Sequence, residues 1–545
     1  MSTLDWIILI TTLSGIILYG MYKSRTTKNL DGYFLSNRSM PWWLVLLSIM
    51  GTQASAVTFI SAPGQAYTDG MRFVQYYFGL PLAMIVVCIF FVPVFRKLKV
   101  YTAYEFLENR FDVKTRTLTS GLFLLARGLS TGISIYAPSI ILSSLLGWNI
   151  YYTNLVMGGL LIIYTMSGGA KAVAYTQQLQ LIIIIGGMFL AGYLVVKLLP
   201  QGVGFAGALK MAGSQGKMNI ITSGVDNNHF DWKDKYNIWS GVIGGFFLAL
   251  SYFGTDQSQV GRYLTAKSDK QSKVGLLMNG MVKVPMQFLI LLVGVLVFSF
   301  YQYHKAPVYF DESKVVAAKK TEYKTALTDI EIEYSMAVTQ QNIPRLKELR
   351  SEYKSVLRKA LPGDDANDTN YIFLRFVVDN LPKGLVGLLI AVIFLSAWGS
   401  IAAALNSLAS CTVVDFHKKF INTNCTEKKD YNIARWYTFG WGVFSITVAM
   451  FAYNLGNSLI EAVNILGSLF YGVILGIFLV AFWIKRVHGN AVFIAAILSE
   501  ALVILVYNLE IVSFLWLNVI GALLVILISL LLQPIIPTNK KEVAL

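Results

Sequence analysis

Two five-residue stretches hold the most readable chemistry in this chain: Gly51-Thr52-Gln53-Ala54-Ser55 and Gly254-Thr255-Asp256-Gln257-Ser258, which share glycine, threonine and serine at matching places. Each lies inside an otherwise apolar run. In lipid every backbone polar group needs a partner, so a glycine-led polar break is tolerated only where it faces protein or a water-filled cavity. Broken helices expose carbonyl and amide ends near mid-membrane, where they bind ions and solutes in transporters built from inverted repeats. The pair predicts a transporter, although three matches in five residues also arise by chance in helices rich in Gly, Ser and Thr. Arg127 is a second signal, about ten residues inside another apolar run. An intramembrane arginine is costly unless it faces a cavity or a partner, and its fork of donors suits a carboxylate. The alternative is a side chain that snorkels to the cytoplasmic end of its helix. No nucleophile–base pair, metal cluster or nucleotide loop is present, so the chain reads as a non-enzyme.

The elements that must position these residues follow from composition. With 545 residues, 55% hydrophobic and 14% charged, the chain reads as an all-α polytopic membrane protein. Thirteen runs are long enough to cross a ~30 Å core: 4–22, 41–64, 73–95, 117–146, 150–168, 174–199, 238–260, 275–302, 383–413, 436–454, 458–483, 490–508 and 511–533. The first lacks a basic flank and a small-residue cleavage site, and is read as a retained helix. Basic clusters at Lys23–Arg38, Arg96–Arg116, Arg262–Lys273 and Lys418–Arg435 fall on one side if the spans alternate. The positive-inside rule makes that side cytoplasmic, which puts the N-terminus outside and the tail Lys540-Lys541 inside. The net charge of +15 is thus a topology signal with some attraction to anionic headgroups, not a nucleic-acid footprint. Cys88, Cys411 and Cys425 show no paired spacing and read as reduced thiols, and the four histidines show no ligand spacing.

One soluble-looking segment, 304–381, interrupts the chain on the outer side. Its pattern predicts a helical hairpin, with one helix over about 312–338 and a second starting at Pro344 and running to about Leu361, ended by Gly363-Asp364-Asp365. It reads as a solvated insertion or a partner-binding arm.

The stretch Gly168-Gly169-Ala170-Lys171-Ala172-Val173-Ala174-Tyr175-Thr176-Gln177-Gln178-Leu179-Gln180 reads as a tight cytoplasmic turn followed by a helix start. It resembles a signature of the sodium/solute symporter family, in its sodium/galactose and sodium/sialic-acid branch. Ala249 to Arg262, Lys283, Leu405-Asn406-Ser407 with Val414-Asp415, and Phe482-Trp483-Ile484-Lys485 match in order and spacing over roughly 1–530, the insertion excluded. The resemblance implies a leucine-transporter-like fold: two inverted five-helix repeats, preceded by one helix and followed by two. The chain would then divide into an N-terminal helix and loop (1–38), the first repeat and the start of the second (39–303), the insertion (304–381), the rest of the second repeat (382–486), and two C-terminal helices with a tail (487–545).

The resemblance also implies sites. Sodium, a hard cation that prefers oxygen, would be held by the carbonyls of Gly51, Ala54 and Ser396 and by a hydroxyl pair that falls on Gly399 and Ser400. Gly399 has no hydroxyl to offer, and Gln177 stands where many members place an aspartate. Sodium coupling is expected from the remaining scaffold, with proton coupling or no ion as alternatives. The small-residue face Ser396–Ala403 also serves helix packing regardless of any ion. The solute would meet Gln53, Ser55 and Thr58 on the first core helix and Phe73, Gln75, Tyr76 and Tyr77 on the second, a surface on which a sugar ring stacks. Each of these aromatics is also explained by ordinary packing.

Sodium/galactose members carry polar groups where Tyr77, Ala249 and Val463 stand here, which argues against galactose. Tyr252 matches a tyrosine closing the inner side of the pocket. Sialic-acid members use an arginine on the helix that carries Arg127, with the contact position nearer Ser130. Arg127 and Lys283 together would favour an anionic solute. The expected function is secondary active transport by alternating access, with a transporter-like solute sensor as the alternative. Sodium is the expected ion and no organic cofactor is implied. The expected partners are a small solute and the lipid bilayer, without nucleic acid, and a monomer is compatible with the sequence. The expected location is a multi-pass cell-membrane protein of a bacterial inner membrane.

Overall fold

The computed structural model describes residues 2–24, 30–340, 342–363, 366–421, 427–452 and 458–536. Of the residues named above, Asp364, Asp365, Cys425, Lys540 and Lys541 fall outside them, as do Arg25 and Lys28 within the Lys23–Arg38 cluster. Helices make up nearly all of the architecture, with one two-stranded antiparallel ribbon, Val225–Asp226 against His229–Phe230. Among the described residues nine helices are long and apolar enough to cross a membrane, and Trp42–Gln53, Ile150–Met166 and Ser240–Gly254 are shorter apolar helices.

Both glycine-led stretches break their helices. The first run divides into Trp42–Gln53 and Ala56–Asp69, with Ala54 at φ −80°, ψ 73° and Ser55 extended. The second divides into Gly245–Gly254 and Gln257–Leu264 around Thr255 and Asp256. Two features hold the first break close to its neighbours. A Cβ on Gly294 of the helix Asp269–Tyr303 would sit 2.1 Å from the Pro63 carbonyl oxygen, so only glycine lets these backbones touch. The helix Leu385–Cys411 is buried along almost its whole length, including Ser396 to Ala404, and this central rod packs against both halves of the first broken helix.

The turn expected at Gly168–Lys171 is helical backbone instead, part of a single 48-residue element, Ile150–Lys197. A straight helix of that length would measure about 72 Å, more than twice the bilayer core. Tyr164 and Thr176, twelve residues apart, nevertheless bring their hydroxyls to 2.5 Å. On a straight helix they would be separated by about 18 Å, so the element bends sharply between them. The reversal predicted by the small residues is present, made by bent helix rather than by a turn.

The insertion also departs from expectation. Its first helix is two, Glu312–Ala318 and Lys324–Thr339, because Thr321 turns the chain: its hydroxyl donates to the Ala318 carbonyl at 2.7 Å and accepts from the Tyr323 amide at 3.3 Å. The second helix, Ile343–Ala360, starts as predicted, with Pro344 in its first turn and the Asn342 side chain accepting from the Arg345 amide. The hairpin has a small core of its own, formed by Leu327, Ile330, Tyr334, Leu349, Tyr353 and Leu357 among others.

Asp368 anchors the hairpin to the transmembrane part. It accepts from the Phe310 amide at 3.0 Å and pairs with Arg350 at 3.2 Å and Lys354 at 2.8 Å. Burial alone would raise its carboxyl, but Arg350 and Lys354 outweigh burial and hold it below the usual carboxylate range. A depressed acid stabilises fully above its unfolded value, about pH 4, and loses that contribution as pH falls through the folded value. Protection factors for amide exchange across Ile343–Ala360, referenced to the intrinsic rate at each pH, should therefore be equal at pH 7 and pH 5.5 and fall below about pH 4. Asp368→Asn should show the lowered protection already at pH 7, and unchanged protection in that variant would remove Asp368 as the anchor.

Candidate functional site

Between the two breaks lies a cavity of about 140 Å³, bordered by Gln53, Ser55 and Thr58 from the first broken helix and by Ala249 and Tyr252 from the second. Arg127 and Ser130 line it from the helix Val113–Leu146, Tyr76 and Tyr77 from the 3-10 turn Gly70–Tyr77, and Lys283 from Asp269–Tyr303. Val463, Asn464 and Tyr471 complete it from Leu459–Trp483. It is smaller than the ~300 Å³ of an ordinary ligand pocket, so a ligand of ordinary size would require its borders to part. The Tyr76 hydroxyl donates to Asn464 Oδ1 at 3.1 Å, a single hydrogen bond closing one side.

Asp256 organises the second break. Asp is a good N-cap because its side-chain oxygen accepts a free amide of the first turn, and Asp256 Oδ1 accepts from the Ser258 amide at 2.7 Å. Its other oxygen accepts from the Tyr471 hydroxyl at 2.7 Å and lies 4.0 Å from Arg127 Nη1. That separation is an ion pair without a hydrogen bond. Arg127 Nε has no hydrogen-bond partner, and the guanidinium sits 5.9 Å from the Tyr252 ring, whose hydroxyl accepts from Gln259 Nε2 at 2.7 Å. Arg127 thus points into the cavity rather than along its helix to the membrane surface, which corrects the snorkelling alternative. Lys283, also buried, has its Nζ 5.6 Å from the Tyr77 ring, and no acid lies within 4 Å of it among the described residues.

At the first break, the amides that would close helical bonds onto the Gly51 and Ala54 carbonyls are diverted. The Ser55 amide donates to Gln53 O at 3.0 Å, and the Thr58 amide to Ser55 O at 2.9 Å. The Gly51 and Ala54 carbonyls are left without intrahelical partners, as a cation site of backbone oxygens requires. Ser400 keeps its oxygen lone pairs, since its hydroxyl donates to the Ser396 and Ala397 carbonyls, each at 3.1 Å.

Gln177 fills the space between the first break and the central rod. Its Nε2 donates to Gly399 O at 3.1 Å and Thr52 Oγ1 at 3.2 Å, and its Oε1 accepts from Ser48 at 2.8 Å. A Cβ on Gly51 would meet the Gln177 side chain at 2.9 Å, and one on Gly399 would meet Gln180 Oε1 at 2.5 Å. Gly399 is therefore closed off by two glutamines, and its carbonyl is already engaged.

Nine of the eleven expected solute residues line the cavity. Phe73 and Gln75 do not. Phe73 is fully buried, stacked on Tyr76 with ring centroids 5.7 Å apart, and Gln75 ties down the outer loop through Thr222 and the Tyr236 carbonyl, each at 3.0 Å. Hydropathy marks both as part of an aromatic segment but cannot say which face meets solute. Tyr77, Ala249 and Val463 all line the cavity. Sequence reasoning missed Asp256 as the buried counter-charge of Arg127, along with Tyr471 and Asn464 as lining residues. The break motif contained Asp256, but its partners lie on other helices.

The family model for the sodium:solute symporter family matches residues 33–332 and 352–499. The chain is 26% identical over 99% of its length to the sodium/sialic acid symporter NanT of Aliivibrio fischeri, 94% of which is covered, and 26% identical, again over 99% of this chain, to SiaT of Proteus mirabilis, 96% covered. The sodium/glucose cotransporter of Vibrio parahaemolyticus is 25% identical over 90% of this chain and 83% of its own. A solved sodium-coupled sialic acid symporter superposes with a TM-score of 0.79 at 24% identity, covering 98% of each chain, and shows the leucine-transporter-like fold. With the breaks, the cavity between them and a family match over most of its length, this chain belongs to the sodium:solute symporter family.

Proposed function

We propose that this protein uses a sodium gradient to carry a small carboxylate-bearing sugar, of the sialic acid class, by alternating access across a bacterial inner membrane. The charge balance at the cavity carries the reading. Arg127 and Lys283 line it, and Asp256, 4.0 Å from Arg127, is the one acid within 4 Å of either cation among the described residues, so with both cations protonated the site is net +1 in a low-dielectric setting. An uncompensated cation there is costly, and a carboxylate on the solute restores neutrality. Sugar-like bodies fit the Tyr76, Tyr77 and Tyr252 rings with Gln53, Ser55, Thr58 and Ser130 as hydrogen-bonding groups. The relatives named for sialic acid support the same class.

In this reading sodium sits at the first break, on the carbonyls of Gly51, Ala54 and Ser396 and the Ser400 hydroxyl, with Gly399 contributing packing only. Ion and solute then share one broken helix, since Gly51, Gln53, Ala54, Ser55 and Thr58 all fall within the stretch 51–58 around the break, which gives the coupling a short path. The 39–303 and 382–486 segments supply the two repeats, the N-terminus lies outside, and the 304–381 hairpin faces the same side.

The solute reading is tested by binding of N-acetylneuraminic acid and its methyl ester to purified protein. Arg127→Gln should weaken the acid by about 2–5 kcal/mol and leave the ester unchanged, and Arg127→Lys should weaken it less, because charge survives and the fork is lost. Parent protein that prefers the ester, or an Arg127→Gln variant with parental affinity for the acid, overturns the reading.

The ion assignment has its own test. Ser400→Ala should raise the sodium concentration for half-maximal uptake about tenfold, the equivalent of about 1.4 kcal/mol. Gly399→Ser should not tighten sodium, because the new Cβ meets Gln180. Uptake in proteoliposomes that ignores both Ser400→Ala and sodium removal would eliminate this site.

A further inference from the structure

A second cavity, of about 580 Å³, lies where the hairpin meets the outer ends of the transmembrane helices. Four cations line it: Lys217 from the outer loop, and Lys347, Arg350 and Lys354 from the hairpin helix Ile343–Ala360. The one lining acid among the described residues is Asp368, already paired with Arg350 and Lys354. Lys217 and Lys347 have no acid within 4 Å among the described residues; Lys217 donates to the Thr68 carbonyl. Counting Asp69, the acid nearest Lys217, the lining still keeps an excess of two positive charges.

Aromatic rings make up part of the remaining wall, beside aliphatic and amide side chains such as Met211, Leu346 and Gln302. Tyr67, Phe298, Tyr301 and Tyr334 contribute to it, with the Lys217 ammonium 5.2 Å from the Phe298 ring and the Arg350 guanidinium 6.0 Å from the Tyr67 ring. The charges feel one another. Burial first holds the Lys217 ammonium below its ordinary range, with Asp69 opposing and Lys347, Arg350 and Arg72 reinforcing. Like charges kept together around aromatic faces form a site for an anion with a ring-like body.

Its place in the fold gives it a role. Tyr67 and Thr68 end the half-helix Ala56–Asp69, which begins beside Thr58 in the central cavity. Ten residues of helix separate the two cavities, about 15 Å. A positive outer cavity raises the local concentration of an anion and speeds its entry.

We propose that the cavity between the hairpin and the outer helix ends is a second binding site, which captures the carboxylate-bearing solute before it reaches the central cavity. The chemical class of the ligand rests on the function proposed above, and the location rests on the cation cluster alone. The hairpin is then a functional wall of the entry route and not a passive insertion.

Isothermal titration of the full-length protein in detergent, with sodium and low ionic strength, tests this with N-acetylneuraminic acid as probe. Two equivalents should bind per chain. Lys217→Gln with Lys347→Gln should weaken one of them at least tenfold and leave the other, Arg127→Gln should do the reverse, and Lys217→Arg with Lys347→Arg should retain both. One equivalent, lost in Arg127→Gln and untouched by the lysine pair, overturns the outer site and leaves the function standing. One equivalent lost only in the lysine pair upholds the outer site and overturns the central assignment. No binding at all rejects both.

Discussion

A single carboxylate sets the terms of the central site. Asp256 caps the second half of a broken helix with one oxygen and, with the other, holds Tyr471 and faces Arg127. The capping role depends on the break. Were the helix continuous, Asp256 would lie on a ladder that needs no cap, and its charge in the apolar interior would be left to Tyr471 and Arg127 alone. The cap spreads the negative charge over a backbone amide and a phenol, while Arg127 stays 4.0 Å away. Asp256 thereby keeps Arg127 charged and oriented without saturating it. A 2.8 Å bidentate pair would have stabilised the empty state and left no donor for a solute.

The first break is held by the opposite device, a neutral amide. Gln177 touches Ser48 and Thr52 on one side and the Gly399 carbonyl on the other, so one side chain ties the half-helix ending at Gln53 to the central rod. An aspartate there would present acceptors only, and would repel the Gly399 carbonyl unless a cation stood between them. Glutamine supplies its own N–H, so the contact is complete without an ion. The two breaks therefore differ in kind: one carries formal charge on Asp256 opposite Arg127, the other leaves the Gly51 and Ala54 carbonyls without intrahelical partners beside a closed hydrogen-bond network.

The sequence made the helices, both breaks and Arg127 legible because each rests on a local cost. Hydropathy runs reflect the cost of exposing apolar surface, glycine-led polar patches the cost of unpaired backbone, and Arg127 the cost of an intramembrane charge. What escaped depends on which face meets which. Gln75 reads as well as Gln53 for solute binding, and only packing turns Gln75 onto Thr222 and Gln53 onto Asn279. Asn464 and Tyr471 sit in a run whose hydropathy is that of an ordinary span. The bend after Tyr164 was legible in place but not in form, since small residues permit close approach equally well in a turn or in curved helix. The hairpin's broken first helix turns on Thr321, whose hydroxyl competes for backbone partners in a way that helical periodicity does not register.

Charge then organises the molecule along its transport axis. In the proposed reading the basic loops lie inside and set topology, the central cavity carries a formal excess of one, and the outer cavity an excess of two among its described neighbours. An anion approaching from outside meets a decreasing positive charge as it descends, but also a decreasing dielectric. Coulomb attraction scales inversely with the effective dielectric, so one uncompensated charge in the central cavity attracts at least as strongly as two in the wetter outer one. The site that captures can therefore be highly charged and weak, while the site that holds has less charge and more affinity. That ordering lets solute pass inward instead of being trapped at the mouth.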